Sequence, residues 1–425
     1  MWLPQMWSGR CLRPLKGAVS WPDVRLVRAR RELALDVLRR HWGYHDFRPE
    51  QRQVVASILS NRDTLALLPT GGGKSICFQV PGIVLGGVTL VISPLISLMH
   101  DQVAGLAMRG VNAFSMTGRV DPAVFAHVLS RANQGPLFVY LAPERLKSSQ
   151  IRSLIQRSNV SLIAVDEAHC ISSWGHDFRP EYRAISDLRT MLPDVPVCAV
   201  TATATPRTVR DIEKSLKLKE VRRVQASFDR PNIHFATTHL ADARLRVLSR
   251  LSSSPGPAIL YDSTRQGAEI WAEKLIRAGI SALAYHGGMD PDVRESNQAA
   301  WMKKKVRVMV ATNAFGMGID RPDVRLVLHV GLPASIEGYY QEAGRAGRDG
   351  RPAWAEIIVT PDARIARAAL VGKGGLRAMR SRRLFSHMQR YVDRPMCRRW
   401  GLLGYFSEFM PEGCGNCDVC APQLS

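Results

Sequence analysis

The sequence predicts an α/β protein, with two tandem parallel-sheet domains followed by a small helical module built on four cysteines. Three observations carry this expectation. Short apolar runs bounded by turn residues recur along the chain, with helical stretches between them. Strands that are apolar on both faces belong to parallel sheets covered by helices on either side. The rhythm pauses once, at ASFDRPNIHF (226–235), and then restarts. Four of the eight cysteines gather near the C-terminus as C-x16-C-x2-C-x2-C.

The strands expected in the first domain are LALL (65–68), VTLVI (88–92), LFVYL (137–141), LIAV (162–165) and VCAV (197–200). Those of the second are AILY (258–261), ALAY (282–285), VRVMVA (306–311), VRLVLHV (324–330) and EIIV (356–359). The polar, proline-bearing segment between the two series reads as an interdomain strap. The expected division is a basic, poorly ordered leader over 1–32, domains over 33–226 and 227–363, and an Arg-rich helical module over 364–425. A chain of 425 residues is long enough for such cores. No uncharged apolar run approaches the roughly 20 residues that span a bilayer, and the leader lacks the apolar stretch of a secretory signal. No membrane partner is expected.

Lys and Arg number 58 against 37 Asp and Glu, a net charge of +21. A charge of that size attracts polyanions, nucleic acid first among them. The excess is concentrated: residues 364–400 hold eleven basic side chains and one acid, Asp393. The bland alternative for that stretch is a solvated helical face.

LLPTGGGKS (67–75) sets a Gly-rich loop between a strand and a helix. It departs slightly from the G-x-x-x-x-G-K-[ST] formula, with Pro69 and Thr70 in the leading region. Gly71, Gly72 and Gly73 let backbone N–H groups and a helix N-terminus approach phosphate. Lys74 can then reach the β- and γ-phosphates, and Ser75 can bind Mg²⁺. Asp166 and Glu167 close the strand LIAV, at the carboxyl edge where parallel sheets bind ligands. There Asp166 can hold the Mg²⁺ shell and Glu167 can deprotonate an attacking water. Two helix-capping acids are the plain alternative. In the second domain Arg345 and Arg348 are three apart, as on one helical turn, and can complete the site from across a cleft. Surface salt bridges to Glu342 or Asp349 are the alternative there.

These residues lie in motifs that resemble the RecQ family of superfamily-two helicases. The resemblance runs from about Leu33 to Cys420 and implies RecA-like domains. It is carried by GYHDFRPEQ (43–51), SPLISLMHDQV (93–103), LAPERL (141–146), TATAT (201–205), YHGGM (285–289), ATNAFGMGID (311–320) and QEAGRAGRDG (341–350). The most specific motif is DEAH (166–169) continued by CISSWGHDFRPEYR (170–183). The resemblance implies that Arg48 and Gln51 contact adenine and that Asp320 joins the ATP site. It also implies that Trp174, His176, Phe178 and Arg179 sense DNA, with His169, Thr201, Thr203 and Gln341 as couplers. Stacking of bases on such rings is worth about 1–3 kcal/mol each; a self-packed aromatic hairpin is the alternative.

Cys397, Cys414, Cys417 and Cys420 can close a tetrahedral, structural Zn²⁺ site. Disulfides are the alternative, which the absence of an export signal does not favour. The chain stops five residues after Cys420, where many family members continue into a winged helix, which leaves strand-separating strength an open expectation. The function expected is an ATP- and Mg²⁺-dependent 3′-to-5′ DNA helicase or translocase of recombination and repair, cytoplasmic with the nucleoid or nuclear. Its expected partners are single-stranded and partly duplex or branched DNA, with a single-strand-binding protein or topoisomerase by resemblance. The rivals are an RNA-remodelling ATPase and a nucleic-acid binding or annealing protein with an ATP-controlled conformation.

Overall fold

The computed structural model describes residues 24–117, 121–172, 177–316, 321–370, 375–410 and 413–422. The first sheet contains β1 (Thr64–Leu67), β2 (Val88–Ile92), β3 (Asn112–Met116), β4 (Leu137–Leu141), β5 (Val160–Val165), β6 (Val197–Thr201) and β7 (Arg222–Gln225). The second contains β8 (Ile233–His239), β9 (Ala258–Asp262), β10 (Ala282–Tyr285), β11 (Val308–Ala311), β12 (Leu326–Val330) and β13 (Ala353–Val359). Their orders are β3-β4-β2-β5-β6-β1-β7 and β10-β11-β9-β12-β13-β8. Every pairing is parallel.

Alternation within the strands builds the layers. Leu65 and Leu67 face one core with Leu90 and Ile92, while Ala66 and Val91 face a second core across the sheet. Each expected run overlaps a strand, but LALL runs one residue past β1, and VRVMVA and VRLVLHV each begin two residues before β11 and β12. The strands that the apolar rhythm did not reveal lie at edges, although the edge strand β10 was expected as ALAY: β3 is half-buried and β7 exposes Arg222, Arg223 and Gln225. An edge strand needs fewer apolar side chains because it has a neighbour on one side only.

Two expectations need correction. The strap does not extend to 235: Ile233 begins β8, which pairs with β13 from Ile233↔Ala353 onward. Its sequence IHFATTH mixes polar and apolar residues, as an edge strand can. The ordered chain also reaches back into the presumed leader, because one helix spans Val24–Trp42. Ala34, Val37 and Leu38 pack that helix against Val55 and Leu59, and Arg30 donates to the Leu59 carbonyl at 3.1 Å.

The C-terminal module is not a separate body. Phe385, Met388, Tyr391 and Leu402 join the core of the second sheet, while Leu403 and Phe406 join a core of the first, together with Phe228 of the strap and Tyr340. Phe406 stacks on Phe228 at 4.5 Å. Among the described residues no helix is long and apolar enough to cross a membrane.

Candidate active site

The Gly-rich loop leaves β1 and enters the helix Ile76–Leu85. Gly71 and Gly73 have φ of +76° and +70°, a region open to glycine and costly to other residues. Space adds to the same choice at Gly73, where a Cβ would run into the amide of the buried Gln51 side chain. Gln51 supports the loop from below, donating to the carbonyls of Gly72 at 3.0 Å and Gly73 at 3.4 Å. Arg48 donates to Gly71 O at 2.9 Å, and its own N–H donates to Gln51 Oε1 at 3.0 Å. Both residues assigned to adenine therefore hold the phosphate loop here.

Asp166 and Glu167 follow β5 directly. Asp166 Oδ1 accepts the Glu167 N–H at 2.9 Å, and Oδ2 accepts from Gln102 Nε2 at 3.3 Å. Its carbonyl accepts the Tyr182 hydroxyl at 3.1 Å. Glu167 has φ +45°, a left-handed conformation that costs a non-glycine residue about 1–3 kcal/mol and clusters at functional sites. Burial, then the Glu167 charge, pushes the Asp166 carboxyl up to about 6 against the pull of Lys74. A buried acid and a half-buried one, with Ser75 lining the same cavity, suit a divalent cation, whose charge would relieve that repulsion.

From Glu167 a polar chain crosses the first domain into the second. Its Oε2 lies 3.3 Å from His169 Nδ1, which also meets Thr201 Oγ1 at 2.9 Å. Thr201 Oγ1 donates to the Thr203 carbonyl at 3.3 Å, and Gln341 Nε2 donates to Thr203 Oγ1 at 2.9 Å. Gln341 sits on the helix Ile336–Ala343, capped by Ser335 Oγ accepting from Gly338 N–H at 3.1 Å.

Arg345 and Arg348 do not share a helical turn, contrary to the expectation. The helix ends at Ala343, and both arginines lie in the turns that follow it. Gly347, at φ +56°, reverses the chain within these turns. The turns still deliver them. A cavity of about 180 Å³ is lined by Lys74, Ser75, Asp166, Glu167, Arg345 and Arg348, with Gln341. Arg345 is buried and donates to the Gly316 carbonyl.

A second cavity, about 430 Å³, opens above the carboxyl ends of both sheets. Asp177 and Arg179 line it from the first domain, Asp262 and Asn313 from the second. Gln341 and Arg345 line both cavities and so form their shared wall. Arg179 is tied to Pro94 O at 2.7 Å. Phe178 is half-buried, with the guanidinium of Arg183 at 5.4 Å and that of Arg380, from the C-terminal helix Gly375–Asp393, at 6.0 Å. Of the motif's aromatics, Tyr182 is core. Trp174, His176 and Asp320 lie outside the described residues.

The thiols of Cys397, Cys414, Cys417 and Cys420 all lie within 4.8 Å of one another, and no disulfide joins them. N–H groups of Trp400, Asn416 and Cys420 each point at a sulfur of the set, at 3.4 Å. Four sulfurs with such donors fit a closed tetrahedral Zn²⁺ site. The motif reading assigned no role to Gln102, Tyr182 or Arg230. Gln102 lies inside SPLISLMHDQV, and its link through Tyr140 to Gln79, at 2.9 and 3.0 Å, leaves no pattern in sequence.

Tandem parallel-sheet domains with a Gly-rich phosphate loop in the first, and arginines from the second in the same cleft, define the architecture of superfamily-two helicases. A family profile for DEAD/DEAH box helicases matches residues 48–212, one for the helicase conserved C-terminal domain matches 242–350, and one for RecQ zinc-binding matches 362–421. The ATP-dependent DNA helicase RecQ of Haemophilus influenzae is 42% identical, over 91% of this chain and 63% of that protein. Its namesake from Pasteurella multocida is 40% identical, over 95% of this chain and 64% of that protein. Among solved structures, S. cerevisiae Dbp5 bound to RNA and ADP BeF3 superposes with a TM-score of 0.65 at 16% identity, covering 90% of this chain and 94% of that one, a likeness of fold. The chain belongs to the RecQ family. It spans a little under two thirds of the length of these two relatives.

Proposed function

We propose that the chain is an ATP-dependent DNA helicase or translocase that couples ATP hydrolysis to 3′-to-5′ movement on single-stranded DNA, including partly duplex and branched forms, in recombination and repair. The observation that carries it is the shared wall: Gln341 and Arg345 face both the phosphate-loop cleft and the larger groove above it. A base-driven change in the groove thereby reaches the hydrolytic residues through groups that belong to both.

Lys74 neutralises phosphate charge, and Arg345 and Arg348 stabilise the charge that develops on the transferred phosphoryl group. Glu167 accepts the proton of the attacking water, oriented by its contact with His169. Ser75 and Asp166 would hold Mg²⁺, which supplies further charge neutralisation at the phosphates. Asp320 is assigned to the nucleotide by motif, and Arg48 and Gln51 exchange loop carbonyls for the base when nucleotide binds. The +21 charge and the Arg380–Phe178 contact favour a nucleic-acid groove flanked by the C-terminal helix. Trp174, His176 and Phe178 are the proposed base sensors. Association with a single-strand-binding protein or topoisomerase rests on family resemblance.

The test is phosphate release with and without single-stranded DNA, with RNA as a competitor stimulant. DNA is expected to raise turnover more than RNA does, and Lys74→Ala to abolish turnover while retaining salt-sensitive DNA binding. Stronger stimulation by RNA, or turnover surviving in the Lys74 variant, would defeat the proposal.

A further inference from the structure

The strap residues Asp229-Arg230-Pro231-Asn232 carry no role in the hydrolytic scheme, yet each makes a polar contact, either with the turns after Ala343 or with the C-terminal module. Arg230 is buried enough that burial lowers its affinity for the proton. Its Nη1 donates to Gly344 O at 2.7 Å, and its Nη2 to Ala346 O at 2.7 Å and Gly347 O at 3.1 Å. Those carbonyls belong to the turns that carry Arg345 and Arg348. Helix C-terminal carbonyls lack intrahelical partners, and a planar, forked cation satisfies several at once. Asn232 adds a second clasp, donating to Gly347 O at 2.8 Å and Arg351 O at 2.9 Å. From the opposite side, Thr70 of the phosphate loop donates to the same Gly344 carbonyl at 3.2 Å.

The strap is in turn held by the C-terminal module. Arg399, two residues after Cys397, is buried and donates through Nη2 to the carbonyls of Arg230 at 3.3 Å, Pro231 at 3.2 Å and Ile233 at 3.0 Å. Its Nε lies 3.0 Å from Asp229 Oδ1, an ion pair without hydrogen-bond alignment. Asn416, between Cys414 and Cys417, donates to Pro231 O at 3.0 Å. Glu408 accepts the Phe228 N–H at 2.7 Å. Contacts therefore run without a break from the cysteine module to the strap, from the strap to the arginine-bearing turns, and from those turns to the phosphate loop.

We infer that Arg230 is a positioning residue of the hydrolytic site, and that Arg399 positions Arg230, so that the C-terminal module sets the placement of Arg345 and Arg348 as well as contributing to the nucleic-acid surface. This rests on the ATP turnover proposed above. Arg230 touches neither the phosphates' side of the cleft nor the groove, since it lines neither cavity. Its effect is on geometry, and a misplacement of about 1 Å far from the chemistry can cost about 100-fold in rate.

The experiment uses the full chain with Arg230→Gln, Arg230→Lys and Arg399→Gln. All three are expected to lower DNA-stimulated kcat by about 10- to 100-fold, with zinc content retained and fluorescent-nucleotide and DNA affinities held within about twofold, since the side chains that meet those ligands remain. The lysine variant keeps the charge and loses the fork, so it should be nearly as slow as glutamine. Full activity with lysine would overturn the positioning role, as would a loss confined to nucleotide affinity. Hydrogen exchange reads the same link without turnover: amides of 344–350 should exchange faster in the Arg230→Gln and Arg399→Gln proteins. Unchanged exchange there overturns the inference even if the wild type hydrolyses ATP, whereas a wild type without turnover but with the exchange effect would defeat only the proposed activity.

Discussion

At the scale of single residues, the chemistry depends on what burial does to Asp166. A carboxyl raised to about 6 by burial and the adjacent Glu167 is neutral below that pH and charged above it. Mg²⁺ binds the charged form, so lowering the pH through 6 sets proton against metal. The apparent Mg²⁺ affinity for turnover should therefore weaken by about tenfold per pH unit below 6 and flatten above it. Titrating Mg²⁺ at pH 5.5 and 7.5 checks this, and equal midpoints would show that Asp166 is not the group that meets the metal. The residue types at this site were legible from DEAH and GGGKS. The left-handed backbone of Glu167 and the hold of Gln102 on Asp166 were not, because neither leaves a spacing.

At the scale of elements, β13 shows how a strand in the second domain is stitched to its cover. Glu356 is fully buried, and it accepts from Arg246 at 2.7 Å, Arg250 at 2.6 Å and Thr238 at 2.7 Å. Burial pushes its carboxyl up, but the Arg246 and Thr238 hydrogen bonds and the Arg250 charge outweigh that and hold it below the ordinary value. A depressed carboxyl contributes stability that is present above its unfolded pKa and lost as pH falls through the folded one. Glu356→Ala leaves two arginines facing a buried gap and should cost about 3–5 kcal/mol, read as a lower denaturant midpoint. A change within about 0.5 kcal/mol, the range of surface substitutions, would mean that the network contributes little. The strand itself was legible as EIIV, while the ion network was not: Arg246 and Arg250 lie on a separate helix, Arg244–Ser253.

At the scale of the whole molecule, Gln341 of the second domain donates to Thr203 of the first at 2.9 Å. Truncating Gln341 to Ala breaks the polar chain from Glu167 at the Thr203–Gln341 contact, and leaves the phosphate loop and Lys74 in place. Basal turnover should fall less than DNA-stimulated turnover, so that the stimulation ratio drops by about tenfold, the effect of a coupling free energy near 1.4 kcal/mol. An unchanged ratio would place the coupling elsewhere. The C-terminal module belongs to this scale too, since Leu403 and Phe406 close a core of the first domain while Met388 and Leu402 close one of the second. A module whose apolar residues serve both cores cannot be moved without disturbing the angle between them.

Local sequence carries the parallel α/β class, the phosphate loop, the acid pair at the end of β5, the cysteine ligand set and the family. Each of these is written in a local period, an apolar run or a fixed spacing. That Ile233 opens an edge strand, that Arg345 and Arg348 arrive from turns, and that Arg230 and Arg399 tie the cysteine module to them emerges from the folded chain alone. Those contacts join residues more than a hundred positions apart, and a pairing made by folding leaves no spacing for a one-dimensional pattern to record.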